Sequence, residues 1–226
     1  MIENIIKVWN GYWNLFLIGL GYTLLLSFIT VLAGCIIGFF LALMRMSKWK
    51  VGNVRPLSAV VGIFVEIVRG TPLLLQLYFF YFLLPDLLYF WEPSKFTCIT
   101  IALCLNSAAY VSEIIRAGIQ AVDKGQTEAA RSLGLNSHQT MVHVIMPQAV
   151  KNILPALCNE FVTMIKETSL ASTFFVGELM TQYKSISGAL YLTIEPLIIV
   201  GVIYFVVTFS LSKCVLAMER RMRASD

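Results

Sequence analysis

The sequence is organised around residues 125–147, GQTEAARSLGLNSHQTMVHVIMP, a polar interruption in a chain that is otherwise strongly apolar. The first half of this stretch consists of good helix formers, and Gly134 follows at the position where helices often end in a left-handed residue. A second helix is predicted beyond it, with Asn136 or Ser137 as its N-cap and Pro147 as its end. By itself this pattern fits a solvated connector between membrane spans as well as it fits a functional loop.

The composition indicates a membrane protein. Of the 226 residues, 58% are hydrophobic and 13% are charged, and the mean hydropathy is +0.78. A soluble domain of this size could hardly cover so much apolar surface. The net charge of +4 does not indicate a nucleic-acid partner, because the basic residues flank apolar segments.

Hydropathy predicts an all-α integral membrane protein with five transmembrane helices. The spans are predicted at residues 13–44, 57–90, 96–116, 148–172 and 192–216. Arg45, Lys48, Lys50 and Arg55 follow the first span, and Lys213, Arg220, Arg221 and Arg223 lie at the end of the last span and just beyond it. The positive-inside rule places these ends, the loop at 117–147 and the C-terminus in the cytoplasm, and the N-terminus outside. Residues 1–12 lack the features of a signal peptide and are expected to stay on the mature protein.

Small residues in two of these spans predict close helix packing. Gly34 and Gly38 form a small-xxx-small pair in the first span, and the third span carries NSAAY at residues 106–110. Such residues allow helix backbones to approach, with an occasional hydrogen bond from the asparagine.

The second predicted span is interrupted by Gly70-Thr71-Pro72. Because Pro72 cannot donate a backbone hydrogen bond and disfavours helical geometry at Thr71, we expect a bent or unwound helix. The freed backbone groups need polar partners at membrane depth. Glu66 and Arg69 precede the break at a spacing of three, so they can form a neutralising pair or serve a solute.

The fourth predicted span is unusually polar, with Asn159, Glu160, Thr163, Lys166 and Glu167 in its outer half. Glu160, Thr163 and Glu167 share one helix face. At about 1.5 Å per residue from the start of the span, Glu160 falls near the bilayer midplane, where transporters place their solute. An internal Glu/Lys network that holds helices together is the alternative interpretation.

Several kinds of chemistry find no support in the sequence. There is no GxxxxGK[ST] phosphate-binding loop and no nucleophile-elbow motif, so neither ATP hydrolysis nor another enzymatic activity is expected on this chain. His138 and His143 lie off a common face without acidic or cysteine companions, which argues against a metal site. The cysteines are odd in number and scattered, and we interpret them as small apolar residues: Cys35, Cys98, Cys104, Cys158 and Cys214.

The residue order in the polar loop resembles a known signature. It is similar to the EAA motif of the membrane subunits of bacterial ATP-binding-cassette (ABC) importers. The matching residues are Glu128-Ala129-Ala130, then Gly134 after three residues, and Val144-Ile145-Met146-Pro147 at the end of the loop. Val144 and Met146 are conservative departures from the motif. Two further segments resemble the polar amino-acid uptake branch of these importers. They are EIVRGTPLLLQLYF at residues 66–79 and the run of residues 106–134.

The resemblance, which covers roughly residues 22–217, implies a type I importer-like permease in the bacterial cytoplasmic membrane. Its expected partners are two cytoplasmic ABC ATPase subunits, a second permease that is the same or a homologous chain, an extracytoplasmic solute-binding protein and membrane lipid. ATP and Mg would bind to the ATPase partner, and no cofactor is expected on this chain. The loop would be the coupling helix that meets the ATPase, through Glu128, Ala129, Ala130, Gly134, Ser137, His138, Met141 and Pro147.

The predicted function is therefore uptake of a polar amino acid by alternating access. The candidate solute-binding residues come from the broken span and the polar fourth span: Glu66, Arg69, Gly70, Thr71, Asn159, Glu160 and Thr163. A secondary transporter with Glu160 as a proton or sodium site is the alternative, disfavoured by the odd number of spans and by the absence of an inverted repeat. An intramembrane enzyme or scaffold is a third interpretation.

Overall fold

The computed structural model describes residues 1–47, 49–50, 55–88, 90 and 92–223, with the backbone alone at Arg223. The predictions for Lys48 and for the Arg223 side chain fall outside the described residues. Within them every regular element is helical. The α-helices are α1 (Ile2–Met46), α2 (Pro56–Gly70), α3 (Leu73–Leu87), α4 (Lys95–Gln120), α5 (Lys124–Ser132), α6 (Ser137–Thr140), α7 (Met146–Glu167), α8 (Leu179–Leu190) and α9 (Ile194–Arg223). A π-helical turn at Met141–Ile145 joins α6 to α7, and a 3-10 segment at Thr168–Phe174 follows α7.

Four helical stretches of the described chain are long and apolar enough to cross a membrane: Ile2–Met46, Lys95–Gln120, Ser137–Phe174 and Ile194–Met222. The pair α2 and α3 passes the same criteria jointly, but the two helices are bent by 109° at the intervening residues. The pair can be counted as one broken span, which would make five, or as a re-entrant segment.

The contact between α1 and α4 confirms the predicted close packing of small residues. A Cβ added to Gly34 would lie 2.6 Å from Ser107 Oγ, and one added to Gly38 would lie 2.8 Å from the Ala108 carbonyl oxygen. Both distances are too short for a real side chain, so glycine is what lets the α1 backbone approach α4 at this level.

Three apolar clusters surround this helix pair. One joins α1, α3, α4 and the 3-10 segment through Leu26, Leu77, Leu103 and Phe174. A second joins the N-terminal part of α1 to α8 and α9 through Val8, Phe16, Leu179, Ile186, Ile199 and Val200. The third packs α2 against α4 through Val61, Val65 and Ala109. The broken pair α2 and α3 is thus held on α4.

The prediction that Pro147 ends the second loop helix is wrong. Pro147 lies in the first turn of α7, and the helix continues from α6 through the π-helical turn. The Met146 N–H donates to the Met141 carbonyl, five residues back. Proline has no N–H and its ring crowds the carbonyl four residues earlier, so a widened turn just ahead of it lets the chain remain helical.

Glu178 fixes the start of α8, a role that the sequence did not indicate. Its side chain is fully buried and accepts hydrogen bonds from the Met180 N–H at 2.6 Å and the Thr181 N–H at 2.7 Å. The backbone N–H of Leu179, the first residue of α8, donates to Thr23 Oγ1 at 3.1 Å. These bonds satisfy the free N–H groups of the helix start and tie α8 to α1.

Candidate functional site

The break between α2 and α3 is closed by one side chain, Gln76. Helix α2 ends at Gly70, Thr71 is extended, and Pro72 precedes α3. The Gln76 amide nitrogen lies within donating distance of the Val68 carbonyl (2.7 Å) and the Thr71 carbonyl (3.1 Å). Two acceptors at the break, the Val68 and Thr71 carbonyls, are thus satisfied within the protein.

Helix α4 supports this arrangement through Asn106. The Asn106 Nδ2 donates to Gln76 Oε1 at 3.0 Å, while the buried Asn106 Oδ1 has no hydrogen-bond partner among the described residues. A buried acceptor without a donor is unfavourable unless a bound molecule supplies one. Asn106 therefore presents an open acceptor beside the break.

The start of α3 presents donors near the same place. Pro72 provides no side-chain cap, and the Gln76 N–H, which donates to the Pro72 carbonyl at 3.2 Å, is the first N–H of the helical ladder. The N–H groups of Leu73, Leu74 and Leu75 come before this first bond, as at any helix start.

The predicted pair of Glu66 with Arg69 is not formed. Arg69 Nη1 lies 3.9 Å from Glu113 Oε1 on α4, and its guanidinium stands 5.5 Å from the centre of the Tyr110 ring. Glu66 is exposed and has no salt bridge among the described residues. A spacing of three allows pairing on one helix, but the packing of α2 on α4 brings Arg69 to a carboxylate of the neighbouring helix instead.

Glu113 is shared by three arginines. Arg45 Nη1 contacts Glu113 Oε2 at 2.8 Å, Arg116 Nε donates to the same oxygen at 3.0 Å, and the Arg116 Nη2 reaches Oε1. Arg69 has the longest contact, and its side chain is 41% exposed against 19% for Arg45. The Arg69 guanidinium is therefore the one most available to a second anion.

Glu160 is the opposite case, a buried carboxylate without a cation. The residue is 8% exposed and accepts a hydrogen bond from Ser107 Oγ at 3.3 Å. Across the described residues, no lysine or arginine nitrogen lies within 4.0 Å of it. Lys166 is exposed, so the Glu/Lys network left open by the sequence does not include Glu160 as an ion pair.

The predicted site residues fall into two groups on either side of α4. Ser107 faces Glu160, whereas Asn106 and Tyr110 face the break and Arg69. No hydrogen bond or salt bridge in the described part of the chain joins Glu160 to residues 66–71. Thr163 on α7 is half-buried, and Asn159, Gly70 and Arg69 are exposed.

Sequence reasoning missed the residues that organise both groups. Ser107, Asn106 and Tyr110 belong to the NSAAY segment, which predicted helix contact alone, and Gln76 received no role. A polar side chain one turn after a helix break is the signal that could have identified Gln76.

The polar loop is a compact helical corner. Gly134 has φ +88°, and the Gly134 N–H and the Leu135 N–H donate to the carbonyls of Arg131 and Ala130 at 3.1 Å each. This is a Schellman ending, in which a left-handed residue is required. Asn136 then caps α6 in a reciprocal pair with Gln139, at 2.9 Å in both directions.

The loop exposes much of its surface. Leu133, at the corner, is 83% exposed, although a large apolar side chain is usually covered. Among the predicted coupling residues, Ala130 is buried and Met141 half-buried, while the exposed ones are Glu128, Ala129, Gly134, Ser137, His138 and Pro147. No group of three potential metal ligands occurs within the described ranges.

Comparison with known proteins yields one family and several near relatives. Residues 34–224 match the family described as the binding-protein-dependent transport system inner membrane component. The arginine transport system permease protein ArtQ of Bacillus subtilis (strain 168) is 42% identical over 208 residues, which are 92% of each chain. The L-cystine transport system permease protein TcyB of the same strain is 37% identical over 95% of this chain and 89% of the relative. A crystal structure of an amino acid ABC transporter with histidines has 46% sequence identity and a TM-score of 0.87, covering 93% of this chain and 95% of that one.

Proposed function

Since the chain belongs to the family of binding-protein-dependent transport system inner membrane components, we propose that it forms the solute pathway of an ABC importer for a polar amino acid. The two relatives are an arginine and an L-cystine transport system permease, which supports this class of solute. Family membership also argues against the ion-driven secondary transporter and against an enzyme.

The observation that carries the proposal is the unpaired, buried carboxylate of Glu160. It stands midway between the start of α7 at Met146 and the end of the 3-10 segment at Phe174. A carboxylate taken out of water needs a cation or must take up a proton. The ammonium group of an amino acid, or a cationic side chain, would supply that charge.

The residues beside the break, which lie on the other side of α4 from Glu160, would meet the solute carboxylate at a different step of its passage. Arg69 keeps an accessible guanidinium, and the uncapped start of α3 offers N–H groups with the favourable end of the helix dipole. Asn106 Oδ1, a buried acceptor without a partner among the described residues, faces the same region. Thr71, Asn159 and Thr163 would add hydroxyl and amide groups, while Gly70 keeps the backbone accessible.

We further propose five spans, with α2 and α3 as one broken span, the N-terminus outside and the C-terminus in the cytoplasm of a bacterium. The loop around Gly134 would then be cytoplasmic, and its exposed surface around Leu133 would dock into an ATPase subunit that carries ATP and Mg. Two such permeases, identical or homologous, two ATPases and an extracytoplasmic binding protein would make the complete importer.

In this arrangement ATP binding closes the ATPase dimer and moves the loop. Because α6, the π-helical turn and α7 form one continuous helical path from the loop to Glu160, that motion would reach the Glu160 carboxylate directly. Alternating exposure of the site to the two sides of the membrane then follows.

Uptake in sealed vesicles tests the proposal. The permease, its genetically neighbouring ATPase and its binding protein would be reconstituted together, and uptake of labelled cationic, neutral and acidic amino acids compared with and without ATP. We expect ATP-dependent uptake of a polar amino acid that requires all components. Uptake by this chain alone under a proton or sodium gradient would instead establish the secondary transporter.

A further inference from the structure

An apolar groove lies between α1, α7 and α9. Its volume is about 520 Å³, within the range of about 300–1,000 Å³ that is usual for ligand sites. The lining is formed entirely by apolar and sulfur-containing side chains: Phe28, Val31, Leu32, Cys35, Leu154, Leu157, Cys158, Phe161, Val162, Leu211, Cys214, Val215 and Met218.

The groove opens at the protein surface, and Glu160 is not among the residues that line it. Phe28 is 58% exposed and Leu32 is 52% exposed. On α9 the lining extends from Leu211 to Met218, which corresponds to about 10 Å along the helix axis. A lining without hydrogen-bonding side chains suits a hydrocarbon chain, because a polar ligand would lose its hydrogen bonds to water there.

The charge at one end of the groove identifies the rest of the ligand. Arg221 follows Cys214 and Met218 at spacings of seven and three residues, so it continues the same stripe of α9 beyond the groove. Arg220 is its neighbour, and both side chains are exposed. Lys151 stands one turn before Leu154 on α7 but is already engaged by a partner of its own, so the assignment does not depend on it.

We propose that this groove binds an anionic phospholipid of the cytoplasmic leaflet. One acyl chain lies between α1, α7 and α9, and Arg220 and Arg221 bind the phosphate. The assignment rests on the proposed orientation, which places the C-terminal end of α9 at the cytoplasmic surface, where basic residues attract anionic lipid. The lipid would hold α9 against α7, the helix that carries Glu160.

Native mass spectrometry of the assembled transporter tests the site. The complex would be reconstituted in vesicles of phosphatidylcholine with phosphatidylglycerol, extracted into mild detergent, and analysed for retained lipid. Two changes should lower retained phosphatidylglycerol by about tenfold, equivalent to about 1.4 kcal/mol. Cys214→Trp fills the groove, and the double change Arg220→Gln with Arg221→Gln removes the phosphate contacts.

One control variant lies on α9, as the test variants do, and the other removes a positive charge at the proposed cytoplasmic surface. Leu216→Trp alters an exposed residue of α9 that does not line the groove, and Lys50→Gln removes an exposed cation elsewhere. Both should retain phosphatidylglycerol. The proposal would be overturned if all variants retained the same amount of phosphatidylglycerol, or if the wild-type complex retained as much phosphatidylcholine as phosphatidylglycerol. A Cys214–Cys214 crosslink between two copies would also overturn it, because it would show that a second permease occupies the groove.

The native cysteines provide a measurement that needs no substitution. Cys158 is half-buried and lines the groove, so its alkylation by a membrane-permeant maleimide should be slower in vesicles containing phosphatidylglycerol than in phosphatidylcholine alone. An unchanged rate argues against the lipid. Neither experiment requires amino acid or ATP, so the outcome is independent of whether the proposed solute is correct.

Discussion

Ser107 on α4 donates to the Glu160 carboxylate on α7 across 3.3 Å, and Glu160 has no cationic partner among the described residues. Glu160→Gln keeps the shape and removes the charge that we assign to the solute ammonium. We expect the uptake efficiency to fall by about 10- to 100-fold, which corresponds to about 1.5–3 kcal/mol for a lost charge-assisted bond. Initial uptake rates in reconstituted vesicles measure this.

The amount of protein in the membrane and the basal ATPase rate should remain unchanged in Glu160→Gln. Glu3→Gln is a suitable control, because Glu3 is an exposed carboxylate paired with Lys7 at 2.7 Å. If the half-saturation concentration and the maximal rate of uptake were normal in Glu160→Gln, the role of Glu160 would be structural only.

Double-mutant cycles distinguish the two possible partners of Arg69. The contact at 3.9 Å to Glu113 and the exposed position of Glu66 predict no coupling between Arg69→Ala and Glu66→Ala in thermal stability, within about 0.5 kcal/mol. Arg45 and Glu113, which join α1 to α4 at 2.8 Å, should show coupling of about 1 kcal/mol or more.

Arg69→Ala should nevertheless reduce uptake, because the guanidinium is assigned to the solute carboxylate. Glu113 keeps Arg45 and Arg116, so the fold should tolerate the change. Strong coupling with Glu66 would mean that these side chains pair in solution and that the contact with Glu113 is wrong.

Local chemistry could be predicted from the sequence, whereas partners across helices could not. Gly34 and Gly38 were identified as packing residues by their spacing, and Gly134 as a helix ending by its position. The helix break at Thr71 and Pro72 was also predictable. Proline lacks a backbone N–H and disfavours helical dihedral angles in the residue before it, and neither effect depends on the tertiary contacts.

The failures have a common physical origin. Helical spacing allows Arg69 to pair with Glu66, one of the two roles considered, but the packing of α2 on α4 decides which carboxylate is closer. Pro147 was expected to end a helix, and a π-helical turn upstream removes the need to end it. Ser107 and Asn106 are adjacent in sequence but point to different helices, which periodicity alone cannot reveal.

The left-handed backbone at Gly134 makes the proposed coupling role of the polar loop testable. Gly134→Val places a β-branched residue at φ +88° and should strain the corner by about 1–3 kcal/mol. We expect ATP hydrolysis to become uncoupled from uptake while membrane insertion is retained, as measured by the number of solutes moved per ATP hydrolysed.

Gly134→Asn is the matched control, because asparagine tolerates the left-handed region. It should preserve more coupling than valine. Wild-type coupling in Gly134→Val would remove the loop from the transmission path.

The two glycines of α1 that touch α4 should differ in what they affect, although both face the same helix. A Cβ at position 38 would meet the Ala108 carbonyl oxygen at 2.8 Å, and backbone cannot move aside cheaply. Gly38→Ala should therefore lower stability by about 1–3 kcal/mol, seen as a lower unfolding temperature in detergent. Gly21→Ala on the same helix, with nothing within 4 Å of the added Cβ, should have little effect.

At position 34 the added Cβ would lie 2.6 Å from the Ser107 hydroxyl oxygen and 2.9 Å from the Ser107 Cβ. The hydroxyl can rotate away, but the Ser107 Cβ moves only with the α4 backbone. The rotation would take the Ser107 donor from Glu160, so Gly34→Ala should reduce uptake in addition to lowering stability. Ser107→Ala, which removes the hydroxyl without adding a methyl group to α1, should reproduce the loss of uptake. If Ser107→Ala transports normally while Gly34→Ala does not, the effect at Gly34 comes from helix separation and the hydrogen bond to Glu160 has no part in solute binding.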